Sequence, residues 1–104
     1  MAILFHVVPR SEWQRLPPGP YHADSLARDG FIHCSYRHQV GAVVWRFFAG
    51  QADLLVLSID TDLLTSPVRE EEADDGQKFP HVHGPINREA IVAETPFAAG
   101  DWPT

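Results

Sequence analysis

Gly30-Phe31-Ile32-His33-Cys34-Ser35 is a short apolar run that carries a histidine, the chain's one cysteine and a serine on successive residues. Its length, its β-branched and aromatic residues and the preceding Asp29-Gly30, where a helix can stop in a left-handed conformation, predict a buried strand over residues 31–36. Successive side chains of a strand point to opposite faces, so Phe31, His33 and Ser35 share one side while Ile32 and Cys34 take the other. Polar groups in an apolar strand cost free energy unless they are paired, which marks His33 as a candidate for chemistry.

Two other stretches repeat the theme. Phe79-Pro80-His81-Val82-His83-Gly84-Pro85, if extended, puts His81 and His83 on one face, and Ile3-Leu4-Phe5-His6-Val7-Val8 sets His6 in the middle of an apolar strand. The competing reading is that each is a core histidine whose ring nitrogens find backbone partners. The pattern predicts that His6, His33 and His81 line one cleft.

With 104 residues and 44% hydrophobic composition, the chain is long enough for one domain with its own core, expected over residues 1–104. The formal net charge of −6 argues against a nucleic-acid footprint, although one or two local arginines can still hold a small phosphorylated ligand. A single cysteine makes no intrachain disulfide, and the short apolar start has no basic segment before it. A cytoplasmic protein with no membrane span is expected.

Along the chain, Ser11 with Gln14 three residues on reads as a helix cap over 11–16, stopped by Pro17-Pro18-Gly19-Pro20. A second short helix starts at Ala23 or Asp24 and ends at Gly30. Residues 39–49 carry the longest helical pattern, with Val40, Val43, Val44, Phe47 and Phe48 as the expected core stripe and Trp45 and Arg46 nearer the rim. Leu54 to Ile59 is almost wholly apolar and suits a central strand buried on both faces. One helical turn is expected over 60–64, then an extended Val68-Arg69-Glu70-Glu71, and a solvated acidic loop formed by Glu70, Glu71, Glu72, Asp74 and Asp75. Residues 90–96 read as a last strand and 98–104 as a loosely held tail. Strands near 2–8, 31–36, 54–59, 79–83 and 90–96 should form a mixed or antiparallel sheet under the long helix.

The chain has no GxGxxG loop, no phosphate loop ending in Gly-Lys-Ser/Thr, no HExxH, no CxxC and no GxSxG, which argues against Rossmann and α/β-hydrolase enzymes. His81 and His83 offer two metal nitrogens from one face, with Cys34 or His33 as partners, but a closed structural site would usually draw on more cysteine. No metal is assigned. Cys34 and His33 point to opposite faces and do not form a nucleophile–base pair, so Cys34 reads as a small buried apolar residue.

Phe5-His6-Val7, Gly30 to Ser35, Val68-Arg69-Glu70-Glu71 and Phe79 to Pro85 together resemble the small bacterial domain of unknown function numbered 952 (DUF952) over nearly the whole chain. The departures are Glu70, where an aromatic residue is usual, and His83, where tyrosine is usual. That family looks like a compact relative of the ADP-ribosyltransferase fold. The resemblance implies an α+β architecture in which two small, mostly antiparallel sheets and short helices surround a cleft for a nicotinamide-bearing ligand. Carried over by position, it makes His6 the ribose holder and Phe31, His33 and Ser35 the nicotinamide-pocket face. Glu71 becomes the catalytic carboxylate, and His81 a further wall with His83 beside it. A carboxylate near the sugar would stabilise positive charge that develops as the bond to nicotinamide breaks.

The expected function is therefore binding of a nucleotide-like ligand, NAD or ADP-ribose, with His33 and Glu71 as catalytic candidates for ADP-ribosyl transfer or NAD cleavage. NAD would be substrate rather than resident cofactor. The alternatives are a non-catalytic ligand-sensing or interaction module, and a metal-dependent hydrolase built on His81, His83 and His33.

Overall fold

The computed structural model describes residues 2–103. The protein is α+β and holds two three-stranded antiparallel sheets. Strand β1 (Ile3–Pro9) is followed by helices α1 (Arg10–Gln14) and α2 (Asp24–Asp29), strand β2 (Ile32–His33) and helix α3 (Arg37–Phe47). Strands β3 (Leu54–Asp60), β4 (Val68–Glu72), β5 (Lys78–Val82) and β6 (Ile91–Pro96) complete it, with 3-10 turns at Arg88–Ala90 and Ala99–Asp101. The first sheet has the order β1-β3-β6 and the second β2-β5-β4.

The apolar run of β3 explains its central place. Leu55, Leu57 and Ile59 join one core cluster while Leu54 and Val56 join the other, so the strand is buried on both faces. The larger core lies between the sheets, where Leu4, Val8, Leu57 and Ile59 meet Ile32, Cys34 and Val82. The smaller core lies on the opposite face of the first sheet under α3, with Phe5, Val7, Val40 and Trp102.

The segment 30–35 joins the two sheets. Gly30 ends α2 in the left-handed conformation at φ 86° and frees the chain to turn at once into β2. Ile32 and His33 pair with Val82 and His81 of the second sheet. Two residues later Ser35 exchanges both backbone hydrogen bonds with Phe5 of the first sheet, at 2.9 and 2.7 Å. The strand expected over 31–36 is thus two residues of one sheet and a bridge to the other. One stretch serves two sheets, so it cannot be a long strand in either. The expected alternation holds for Ile32 and Cys34, which are buried, and for the exposed His33, whereas Ser35 is buried by its bridge.

Other expectations need correction. Helix α1 begins at Arg10 with Pro9 before it and no side-chain cap, because the chain bends directly out of β1 while the Arg10 amide donates to the Asp53 carbonyl. Helix α3 starts two residues earlier than expected and is capped by Tyr36 and Gln39; the Gln39 side chain accepts from the Tyr36 amide and donates to the Lys78 carbonyl. Of its apolar stripe Val40 is fully buried and Val43, Val44 and Phe48 are half-buried, but Phe47 is 62% exposed. Val44 and Phe48 carry its contact with the smaller core to the C-terminal end of the helix, and Phe47 lies outside that contact. The acidic segment splits, Glu70 to Glu72 standing in β4 and Asp74 and Asp75 in the turn to β5. The tail is not loose: Trp102 is buried, packs edge-on against Phe5 at 5.1 Å and lies under the Arg37 guanidinium. Residues 60–64 form a turn closed by the Leu63 amide on the Asp60 carbonyl.

Candidate functional site

A cleft of about 710 Å³ opens beside the junction of the sheets. His6 of β1, His33 of β2, Ser35 and His81 of β5 all line it, together with Tyr21, Phe79, Arg28 and Asp29 of α2 and Arg46 and Phe47 at the C-terminal end of α3. The pairing explains the convergence. His33 stands directly opposite His81 in the β2–β5 ladder, and Arg69 stands opposite His81 in the β4–β5 ladder. Directly opposed residues share a face, and so do residues two apart, which makes one continuous face from Phe31, His33, Phe79, His81, Arg69 and Glu71.

Phe31, Glu71 and His83 do not line the cleft. They stand behind His81. The Phe31 ring stacks flat on the His81 ring, 4.2 Å between centroids and 7° between planes. Glu71 Oε1 accepts from His81 Nδ1 at 2.9 Å and from His83 Nε2 at 3.0 Å. Of the neighbouring glutamates, Glu70 turns to the other side and accepts from the Tyr36 hydroxyl. Alternation along β4 thus decides among the three: Glu71 shares the histidine face and Glu70 does not.

Hydrogen-bond partners fix the histidine tautomers. A carbonyl only accepts, so His6 Nδ1 donates to the His33 carbonyl at 2.6 Å, and its bare Nε2 accepts the Tyr21 hydroxyl proton at 2.8 Å. Burial pushes the His6 pKa down from 6.5 to about 4, which keeps the ring neutral at pH 7. Tyr21 is held protonated because burial raises its pKa. Its one proton is committed to His6, so its oxygen offers only lone pairs to anything else. Bonding to backbone, the expected sign of a structural core histidine, describes half of His6 and leaves the other half engaged with a tyrosine that lines the cleft.

Glu71 is held ionised below the usual carboxylate range by its bonds to His81 and His83. Both rings therefore donate to it, and His81 Nε2 carries a lone pair whenever the ring is neutral. Burial lowers the His81 pKa and outweighs the opposing pull of the Glu71 carboxylate. His33 Nε2 donates to Asp29 Oδ2 at 3.0 Å, a contact that together with Arg28 lowers the Asp29 pKa. His33 and His81 each have one nitrogen anchored on a carboxylate, whereas His6 has both of its nitrogens engaged.

Tyr21, Asp29 and Arg46 were not legible as site residues. Tyr21 is fifteen positions from His6 in a proline-rich turn and is brought to it by pairing of the Tyr21 backbone with Ile86. In the sequence Asp29 is marked only as part of the stop of α2. Burial raises the Cys34 pKa to about 12, in keeping with a core thiol. Among the described residues no group of three or more His, Cys, Asp or Glu side chains is arranged to hold a metal ion.

Residues 7–94 match the family model described as protein of unknown function (DUF952). The chain belongs to the DUF952 family. The same fold occurs in protein CC0527 of Caulobacter crescentus. Its crystal structure aligns with this DUF952 member at a TM-score of 0.80 and 25% identity, over 98% of this chain and 93% of that one. The solution NMR structure of CC0527 aligns at a TM-score of 0.75 and 25% identity, over 100% and 93% of the two chains. A double-mutant crystal form of CC0527 gives a TM-score of 0.80 at 24% identity, over 98% and 93%. No curated protein matches the chain. Among the described residues, no helix is long and apolar enough to cross a membrane.

Proposed function

We propose that this DUF952 member binds a small nucleotide-like molecule, NAD or ADP-ribose, in the cleft between its sheets, in the manner of a reduced ADP-ribosyltransferase-like domain of the cytoplasm. The observation that carries the reading is that His6, His33, Ser35 and His81, drawn from both sheets, line a single cleft. Its volume lies in the range of small-molecule sites. The wall offers lone pairs at His81 Nε2 and Tyr21 Oη, which suit the hydroxyls of a sugar or the N–H groups of a carboxamide. Phe79 gives an aromatic surface for a planar base, and Arg28 and Arg46 bring positive charge for a phosphate, Arg28 being paired with Asp29 and both standing among the acidic Glu12, Asp24 and Asp74 of the same cleft.

Calorimetric titration and thermal shift with NAD, ADP-ribose and nicotinamide test the reading, because a ligand that binds the folded state raises the melting temperature. At least one of the three should bind. His33→Ala should weaken that binding by about 1–3 kcal/mol through an unpaired polar partner. Absence of a shift with all three removes the reading, and unchanged affinity in His33→Ala removes the site assignment.

The second reading, a ligand-sensing module without turnover, is favoured by the position of Glu71. It stands behind His81 and its Oε1 is shared by two histidines, so it does not itself meet the ligand. Binding without any NAD cleavage is the result that selects this reading.

A further inference from the structure

Glu71 is out of reach of the cleft, yet it is bonded to the one histidine that has both a bare nitrogen and a rigid mount. His81 is held by its Nδ1 on Glu71, by the flat stack of Phe31 and by the edge of His33 at 5.1 Å between centroids. A carboxylate that fixes the tautomer and plane of an imidazole lining a cleft, and leaves its opposite nitrogen unprotonated, is the arrangement of a general base with its orienting group.

Building on the binding of NAD proposed above, we propose that His81 is the general base of an NAD-cleaving reaction and that Glu71 is its positioning residue. Glu71 then does not act directly on the sugar. In the reaction a water molecule or an acceptor hydroxyl attacks the ribosyl carbon that bears nicotinamide. The new oxygen–carbon bond forms as the carbon–nitrogen bond breaks, and the bond's electron pair leaves with nicotinamide. The nucleophile's proton passes to His81 Nε2 and then to solvent. With water the products are ADP-ribose, nicotinamide and one proton, and no other reactant is needed.

The groups that set the behaviour of His81 are few. Glu71 and Arg69 face it from β4, His33 from β2 and His83 from its own strand, while Asp29 meets His33 from α2. The Glu71 carboxylate favours the protonated ring and so raises the basicity of Nε2 against the effect of burial. Replacing it by glutamine keeps an acceptor for Nδ1–H but removes the charge.

The test combines three measurements on the full chain. Nitrogen-15 imidazole spectra of the ligand-free protein at neutral pH should show the His81 proton on Nδ1; a proton fixed on Nε2 overturns the proposal without any ligand. Release of nicotinamide from NAD should then fall by a factor on the order of 100 or more in His81→Gln. In the same variant the ADP-ribose dissociation constant should rise by far less than the rate falls, as expected for a group whose contact with the ligand strengthens in the transition state. In Glu71→Gln the acid limb of the kcat/KM profile should move to lower pH and the plateau should drop, changes that a merely structural role for Glu71 does not produce. Wild-type protein that binds NAD and releases no nicotinamide overturns this inference and leaves the binding reading intact. Protein that binds none of the three probes removes both. Turnover unaffected in His81→Gln, or a pH limb unmoved in Glu71→Gln, overturns the inference alone.

Discussion

At the scale of single residues, His6 shows how burial and two hydrogen bonds make one neutral ring. It pairs with the His33 carbonyl and the Tyr21 hydroxyl, and its pKa lies near 4 in the folded chain against 6.5 for the free side chain. The unfolded chain therefore binds the extra proton between these values, and stability rises with pH through that window and is lost as pH falls through it. The expected loss between pH 6.5 and 4 is about 3 kcal/mol from this residue. Urea unfolding at several pH values checks it. In His6→Gln the slope over that window should shrink, and an unchanged slope would show that His6 is not the titrating group. Tyr21→Phe leaves the buried Nε2 without its donor and should cost about 1–3 kcal/mol, measured as a lower denaturant midpoint.

At the scale of elements, the chain's turns act through backbone geometry rather than through contacts alone. Gly30 has φ 86° and no atom near the place a Cβ would take, so Gly30→Ala should cost only the left-handed strain, about 1 kcal/mol. Gly84, just after the second histidine phrase, has φ 149° and a Cβ there would meet Ser66 Oγ at 2.5 Å. The Ser66 hydroxyl is itself anchored on the Pro85 carbonyl at 2.6 Å, so it has little freedom to yield. Gly84→Ala should therefore destabilise more than Gly30→Ala, and paired thermal or urea denaturation of the two variants compares them directly. Equal losses would show that the Gly84–Ser66 approach relaxes freely.

At the scale of the whole molecule, the last residues close the smaller core. Trp102 is 8% exposed and packs with Phe5, Val7, Val40, Leu54 and Val56. Trp102→Ala should cost about 3–5 kcal/mol, the range for loss of a large aromatic from a core. Denaturation with fluorescence or far-ultraviolet dichroism measures it, and a change below about 0.5 kcal/mol, as for ordinary surface positions, would mean that the tail does not hold the fold.

What the sequence determined by itself is what local chemistry carries. The doubly buried β3, the glycine stop of α2, the inward Ile32 and Cys34 and the apolar β1 follow from hydrophobic pattern and dihedral preference, which act within a few residues. The histidines could be named as candidates for the same reason, since a polar ring in an apolar run demands a partner. Which partner it finds was decided only in three dimensions. Tyr21 reaches His6, Asp29 reaches His33 around a left-handed glycine, and Glu71 rather than Glu70 reaches His81, because strand pairing sets their faces. Trp102 reaches Phe5, and Phe47 is left exposed while its neighbour Phe48 packs on the smaller core. Apolar periodicity tells a side chain that it must be buried, but the register between distant strands decides against what, and that register is a property of the closed fold.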